Sequence, residues 1–288
     1  MARSLSLPPV LMRGAAYPLV RSEARVRLYW EIARRGYRRY ATYRAATLAG
    51  MLTNTIFGFM RAYVLVALFR VRDDVAGFSE ADALSYVFLT QGLLMVVYMW
   101  GWFEVALTIR SGDVVTDLSR PLDYQLYWLA QDIGRAVYHA IYRGVPPFLL
   151  AALVFRLNVP LNPATWTLFA VSVLLAVCVS FALRFIVNLF AFWLLDYRGP
   201  ATLMAGLWTV LSGFAIPLAF FPEPWRTIAR ALPFSCLIEI PVRVFLEKDH
   251  GFALAGALAF QAGWALALLA LGAVLTRAAL RKVVVQGG

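Results

Sequence analysis

Several apolar stretches of about 20 residues, the length that crosses a bilayer as a helix, constrain this chain more than any other feature. Of its 288 residues, 61% are hydrophobic and 15% are charged. A soluble domain carries roughly 25% charged residues. The stretches are apolar all round and lack the alternation of a membrane β-strand. The sequence therefore predicts an all-α membrane protein.

Six stretches are long enough to be predicted as transmembrane helices. They cover about residues 45–69, 84–107, 136–155, 165–195, 200–221 and 253–276. The third is the least regular, since it contains His139, Arg143 and two prolines. Residues 45–280 are therefore expected to form a single six-span domain, followed by a short tail at 281–288.

Residues 21–44 carry eight arginines, and apolar side chains recur between them at four-residue spacing. One apolar stripe facing one basic stripe predicts an amphipathic helix in the membrane surface, with arginine directed at anionic lipid headgroups. The alternative is that these arginines only flank the first span. Residues 1–20 contain three prolines and no apolar core of a signal peptide. They are expected to be poorly ordered.

The distribution of basic residues predicts the orientation of the chain. The net charge is +11, and the arginines cluster beside the predicted spans, which favours a membrane protein over one that binds nucleic acid. With the N-terminus inside, most of the basic residues fall on the inner side, as the positive-inside rule requires. Both termini are therefore predicted to be cytosolic. Cys178 and Cys236 lack metal-like spacing and are expected to be free thiols.

A polar tract at residues 109–123 separates the second and third predicted spans. Ser111 is placed to cap a short helix, and Asp113 would lie in its first turn, where negative charge suits the helix dipole. Pro121 is suited to begin a further surface helix over 121–134. The tract is predicted to form a cytosolic helix at 112–120 that contacts a partner protein. The candidate contact residues are Arg110, Ser111, Asp113, Val114, Asp117, Leu118 and Arg120.

The segment at about 222–251 differs from the spans on either side of it. Its run from Leu232 to Leu246 is apolar, but it is too short and too interrupted by proline to cross a bilayer. Irregular backbone at membrane depth is tolerated where protein buries it. The segment is predicted to form a pair of short re-entrant helices on the outer side.

The sequence contains no recognisable catalytic set. Neither lysine follows a glycine-rich run, so a phosphate-binding loop is excluded. The serine-hydrolase and zinc-protease motifs are also missing, and His139 and His250 stand alone. The chain is therefore expected to hold no cofactor or metal and not to hydrolyse a nucleotide itself.

Polar residues inside a membrane span are costly and often functional, and four of those in the predicted spans are candidates for a role. Two interpretations remain open for them. They could line a substrate path, or they could pair structurally, for instance Arg184 with a carbonyl or with Glu104, while Arg61 extends to the outer interface. The four residues are Arg61, Glu104, Arg184 and Asn188.

Several motifs give the chain a family resemblance. They are the segment Tyr37-Arg-Arg-Tyr-Ala-Thr-Tyr-Arg, then Ile109-Arg-Ser-Gly-Asp and Leu118-Ser-Arg-Pro-Leu-Asp-Tyr, and the proline-rich run from Ala215 to Trp225. Together they resemble the permease subunits of type-2 ABC exporters, and among these the bacterial ABC-2 family transporter proteins. The resemblance covers most of residues 30–280.

The resemblance implies an architecture and a set of partners. A separate dimer of ABC ATPase subunits would hold ATP and Mg²⁺ and contact residues 112–120 as a coupling helix, with 25–42 as a connecting helix. A second permease, identical or paralogous, would complete the substrate path in the bacterial inner membrane. The competing hypotheses are a membrane enzyme acting on lipid, which would need clustered His, Asp or Glu, and a non-catalytic membrane scaffold.

Overall fold

The computed structural model describes residues 22–72, 74–98, 100–194 and 197–280. The expectations for residues 1–20 and for the tail at 281–288 lie outside these ranges. Within them every regular element is helical, and the one extended pairing is an isolated bridge between Val75 and Phe78. The predicted all-α class is confirmed.

The α-helices follow one another along the chain with mostly short connections. They are α1 (Ser22–Ala41), α2 (Arg44–Phe69), α3 (Glu80–Val97), α4 (Glu104–Ser111), α5 (Val114–Leu118), α6 (Tyr124–His139), α7 (Val145–Val154), α8 (Pro163–Leu189), α9 (Arg198–Leu211), α10 (Trp225–Ala231), α11 (Glu239–Phe245) and α12 (Gly251–Leu280). A π turn at Ala140–Gly144 joins α6 and α7.

In the described part of the chain, five helices are long and apolar enough to cross a membrane. They are α2, α3, the joined helix Tyr124–Val154, the segment Pro163–Phe192 and α12. The predicted fifth span at 200–221 is not among them. Its helix, α9, has 14 residues and ends at Leu211, so it is roughly 21 Å long at 1.5 Å per residue. The six-span count stays a prediction.

The predicted second span at 84–107 is wrong at its C-terminal end. Helix α3 ends at Val97, and α4 begins only at Glu104. Between them Tyr98 and Gly101 have φ angles of 49° and 82°, a left-handed conformation that interrupts a helix. The connection is rich in aromatic residues, so hydropathy does not register the interruption.

The prediction of a surface helix at 121–134 followed by a span at 136–155 is also wrong. The two form one helix from Tyr124 to Val154. It begins after Asp123, whose carboxylate accepts a hydrogen bond from the Leu126 N–H at 2.8 Å, and not at Pro121. Its two prolines fall in the first turn of α7. There the π turn already alters the hydrogen-bond ladder, so the missing N–H groups are tolerated.

Helix α1 occupies Ser22–Ala41 of the range predicted at 21–44, where Arg44 already begins α2, and it packs closely along α6. Gly134 makes this approach possible, because a Cβ atom there would lie 1.8 Å from the Ala33 carbonyl oxygen. A Cβ atom at Gly36 would similarly lie 2.4 Å from the carbonyl oxygen of Gln131. Part of the apolar stripe of α1 therefore packs against protein and not against lipid, and Ile32 on this helix is buried.

The centre of the bundle is formed by α3, which is buried along most of its length. Helix α8 packs on it, and so does the segment predicted at 222–251. That segment contains α10, a 3₁₀ turn at Pro233–Cys236 and α11. The prediction of two short helices there matches the observed helices. The 3₁₀ turn and α11 are buried in the bundle, which explains how a segment too short to span a bilayer can be so apolar.

Candidate functional site

The polar tract after α3 folds as two short helices joined by a tight turn. Gly112, with φ at 85°, ends α4 in the left-handed conformation that favours glycine. Ser111 was predicted to cap the next helix but is the last residue of α4. Its hydroxyl still donates to the Asp113 carboxylate at 2.7 Å. The following helix, α5, is therefore five residues long, shorter than the predicted 112–120.

Helix α5 has a buried side and an exposed side. Val114 is 3% exposed and packs in a cluster with Trp102, Tyr124 and Trp128, which Leu118 joins from the edge. The neighbouring Val115 is 39% exposed and belongs to the other side. Between residues 110 and 120, the exposed side chains are those of Arg110, Ser111, Asp113, Val115, Thr116 and Ser119.

The two aspartates of the tract have different environments. Asp113 is exposed and bonded only within its own turn. Asp117 pairs with Arg120 at 3.2 Å, while its second carboxylate oxygen is buried without a hydrogen-bond partner among the described residues. Burial raises the pKa of Asp117, although the Arg120 guanidinium opposes the rise. Asp117 thus helps to hold the tract, and Asp113 presents a free charge.

Helix α1 is tied to the tract through Glu104. The structure places Glu104 at the first residue of α4, outside the membrane-spanning α3. Its carboxylate accepts a hydrogen bond from Arg39 of α1 at 2.8 Å, and this bond raises the pKa of Arg39. The predicted alternative pairing of Glu104 with Arg184 does not occur.

Arg184 belongs to a buried triad that we call the Asp132 network, formed by Asp132, Arg135 and Arg184. The Asp132 carboxylate bridges Arg135 Nε and Arg184 Nη2, each at 2.7 Å. Arg135 also donates to the carbonyl oxygens of Met95 and Val96 at 2.5 and 2.8 Å. These are carbonyls that the end of α3 leaves free. The network therefore caps the C-terminal end of α3, the central helix.

Asn188 lies one turn after Arg184 on α8 and fixes the connection between α3 and α4. Its side-chain oxygen accepts from the Ala106 N–H at 2.9 Å, and its amide donates to the Trp102 carbonyl at 3.0 Å. Arg184 and Asn188 together line a cavity of about 220 Å³, whose other walls include Trp100 and Trp208. Two of the four polar residues singled out from the sequence therefore lie beside one cavity.

Arg61 lies apart from this cavity. Its Nη2 donates to the carbonyls of Phe214 and Ala215 at 2.6 and 2.9 Å, just after α9 ends. Sequence reasoning missed the neighbouring buried carboxylate of Glu239. The Tyr86 hydroxyl lies 2.8 Å from Glu239 Oε2 and 2.7 Å from the Gly213 carbonyl. We call Arg61, Tyr86 and Glu239 the Glu239 network.

Sequence reasoning also missed Asp132, for an identifiable reason. It lies in the segment predicted to be a surface helix, where an aspartate needs no explanation. The three-residue spacing from Asp132 to Arg135 was the available signal, since it brings the two side chains together on a helix. Among the described residues, no group of three His, Cys, Asp or Glu side chains is placed to hold a metal ion.

The family of the chain follows from a comparison with family models. The model described as ABC-2 family transporter protein matches residues 52–287. The chain belongs to this family. A comparison with curated proteins finds no match, and neither does one with solved structures. The resemblance inferred from the tract and the proline-rich run is confirmed.

Family membership and the helices together define the molecule as a multi-pass membrane permease of the ABC-2 type, a transporter component. The matched range begins inside α2 and includes the tract, both polar networks and α12. Helix α1 precedes it. The contact between Arg39 and Glu104 therefore joins a part of the chain outside the family match to a part inside it.

Proposed function

We propose that the chain is the permease subunit of an ATP-driven exporter whose energy comes from a separate ABC ATPase dimer holding ATP and Mg²⁺. The observation that carries the proposal is the exposed tract at residues 110–119, which is anchored in the bundle on one side and open on the other. Family membership supports it. The lack of a phosphate-binding loop explains why an outside source of energy is needed.

In this proposal the ATPase contacts the exposed side of α5, and the buried side passes its movement into the bundle. Val114 pushes on the aromatic cluster around Trp102. Asn188 carries the displacement of the tract to α8 through its bonds to Ala106 and Trp102. The Arg39–Glu104 pair carries it to α1. The interrupted segment at 98–103 is where α4 changes its angle to α3.

The proposal includes a second permease, identical or paralogous, with substrate leaving between the two halves. The outward apolar side of α2 supports a contact with lipid or with such a partner, since Leu52, Ile56 and Met60 are all more than half exposed. Basic residues around the tract and on α1 support a cytosolic location for both in a bacterial inner membrane.

The sharpest test is charge reversal at Asp113, an exposed residue whose carboxylate is bonded only within its own turn. We expect Asp113→Arg to lower the amount of ATPase that co-purifies with the permease about tenfold, which corresponds to roughly 1.4 kcal/mol. The physical reason is a repulsive charge in the contact. If assembly persists, the same variant is expected to hydrolyse ATP without transport.

The matched control is Asp74→Arg. It makes the same change of charge on an exposed aspartate in the loop between α2 and α3, at the opposite end of these helices. It should leave assembly and transport unchanged. Equal effects of the two variants, or normal assembly and transport with Asp113→Arg, would show that the tract is not the ATPase contact.

A further inference from the structure

Arg143 occupies an unusual position on the helix Tyr124–Val154. It lies in the π turn at Ala140–Gly144, a distortion that is frequent at functional sites. Its guanidinium rests on Gly50 of α2, where a Cβ atom would lie 2.1 Å from Nη2 and 2.2 Å from Cζ. Glycine at position 50 is therefore what gives the guanidinium its place between the two helices.

Among the described residues, no anion pairs with Arg143 to compensate its charge. Its Nε is buried without a hydrogen-bond partner, and no acceptor or carboxylate pairs with the guanidinium in the described part of the chain. The other two arginines predicted inside spans differ, because Arg61 binds backbone carbonyls and Arg184 binds Asp132. An unpaired charge inside a membrane span is costly, and such residues pair or face a polar ligand.

The position of Gly50 along α2 indicates which ligand could reach Arg143. It lies six residues after Arg44, the first residue of α2, which is roughly 9 Å along the helix axis. That depth corresponds to the boundary between headgroups and hydrocarbon, not to the bilayer centre. The neighbouring Tyr142 is 44% exposed. The site is therefore open sideways toward the bilayer.

Polar and basic groups surround this position at the same end of the bundle. The hydroxyls of Tyr37 and Tyr142 lie 3.3 Å apart, and that of Thr47 is 2.9 Å from Tyr138. The ring of His139 is buried, with neither nitrogen hydrogen-bonded to a described residue. Exposed arginines at positions 38 and 44 add positive charge to the surroundings.

We propose that Arg143, seated on Gly50, binds a phosphate group, supplied by the headgroup of an anionic phospholipid in the leaflet next to α1. A guanidinium presents several N–H donors in a planar fork that matches phosphate oxygens. Anionic lipids are also drawn to basic residues at the membrane surface. Free phosphate is the second source of the same chemistry. The site does not depend on the proposed coupling function.

The test measures retained phosphatidylglycerol on the purified full-length permease by native mass spectrometry, with phosphatidylcholine as the neutral comparison. Arg143→Gln is expected to weaken retention of phosphatidylglycerol about tenfold, the loss of one charge-assisted contact. Gly50→Ala should weaken it as well, because the methyl group displaces the guanidinium while the charge remains. Arg143→Lys keeps the charge without the planar fork, so it should bind more phosphatidylglycerol than Arg143→Gln and less than the wild type. This ordering separates loss of charge from loss of fold.

The control variant is Arg156→Gln, which removes an equal charge from an exposed position in the loop after Val154. It should bind phosphatidylglycerol like the wild type. A second arm adds inorganic phosphate to the same sample. If lipid retention is unchanged, the lipid headgroup supplies the phosphate group that Arg143 binds. If the lipid is displaced, the same site binds phosphate from solution. The proposal would be overturned if Arg143→Gln and Gly50→Ala both retained as much phosphatidylglycerol as the wild type. It would also be overturned if Arg156→Gln lost as much phosphatidylglycerol as those two variants.

Discussion

The Asp132 network and the Glu239 network solve the same structural problem in different ways. Each lies where a predicted span is interrupted, the first after α3 and the second after α9. At each break an arginine binds backbone carbonyls. Arg135 binds those at the end of α3, and Arg61 binds those of Phe214 and Ala215 in the segment that follows α9. The networks differ in how the charge of that arginine is balanced.

In the Asp132 network the opposite charges are in direct contact. One carboxylate binds two guanidinium groups, and all three side chains are almost fully buried. In the Glu239 network the charges are held by neutral groups. Arg61 binds carbonyls, while Glu239 binds the Tyr86 hydroxyl and the Leu218 N–H, with Arg230 as its nearest ion pair at 3.7 Å. We therefore expect the first network to be the more rigid of the two.

The largest effect is expected from Asp132→Asn. This change leaves the buried guanidinium groups of Arg135 and Arg184 without an anion, and breaking a buried pair in this way costs about 3–5 kcal/mol. Thermal and denaturant unfolding in one detergent would measure the loss. Asp113→Asn is the control, since it removes an exposed carboxylate. If the two variants are equally stable, the Asp132 network does not hold the bundle together.

A smaller effect is expected from Arg61→Met. The variant keeps the apolar stem but leaves the Phe214 and Ala215 carbonyls without their donor, which costs about 1–3 kcal/mol. Arg44→Met, at the exposed start of α2, should be neutral in the same unfolding measurement. A loss as large as that of Asp132→Asn would remove the proposed difference between the two networks.

The smallest effect is expected from Tyr86→Phe, which removes only a hydroxyl and should cost about 1 kcal/mol. A double-mutant cycle with Glu239→Gln tests whether the Glu239 network acts as a unit. Residues in one network show interaction energies of about 0.5–3 kcal/mol. Additive losses would show that Tyr86 and Glu239 contribute separately, in contrast to the Asp132 network.

Sequence patterns predicted the uninterrupted helices closely. The predicted spans at 45–69, 165–195 and 253–276 correspond to Arg44–Phe69, Pro163–Phe192 and Gly251–Leu280. Helix α1 matched its predicted range in the same way. These segments are recognisable because a helix in a membrane needs only a local property, a sufficient length of apolar residues without a break.

The interrupted helices were not predictable by the same means. Hydropathy counts the aromatic residues near Trp100 as part of a span, although the backbone there leaves the helix. The opposite error occurred at 121–155, where polar residues and two prolines suggested a boundary inside one continuous helix. In the first place Arg135 and Asn188 hold the backbone by tertiary hydrogen bonds, and in the second a π turn accommodates the prolines. Composition records neither feature.

The sequence alone determined the membrane class, the family and the location of the exposed tract. These depend on composition, local periodicity and short motifs. The tertiary structure decided which charges meet, where the spans break and which side of α5 is free. Asp132 and Arg184 are 52 positions apart, so no local pattern could pair them. Their contact exists because helix packing buries both charges together, and buried charges are stable only when each has a partner.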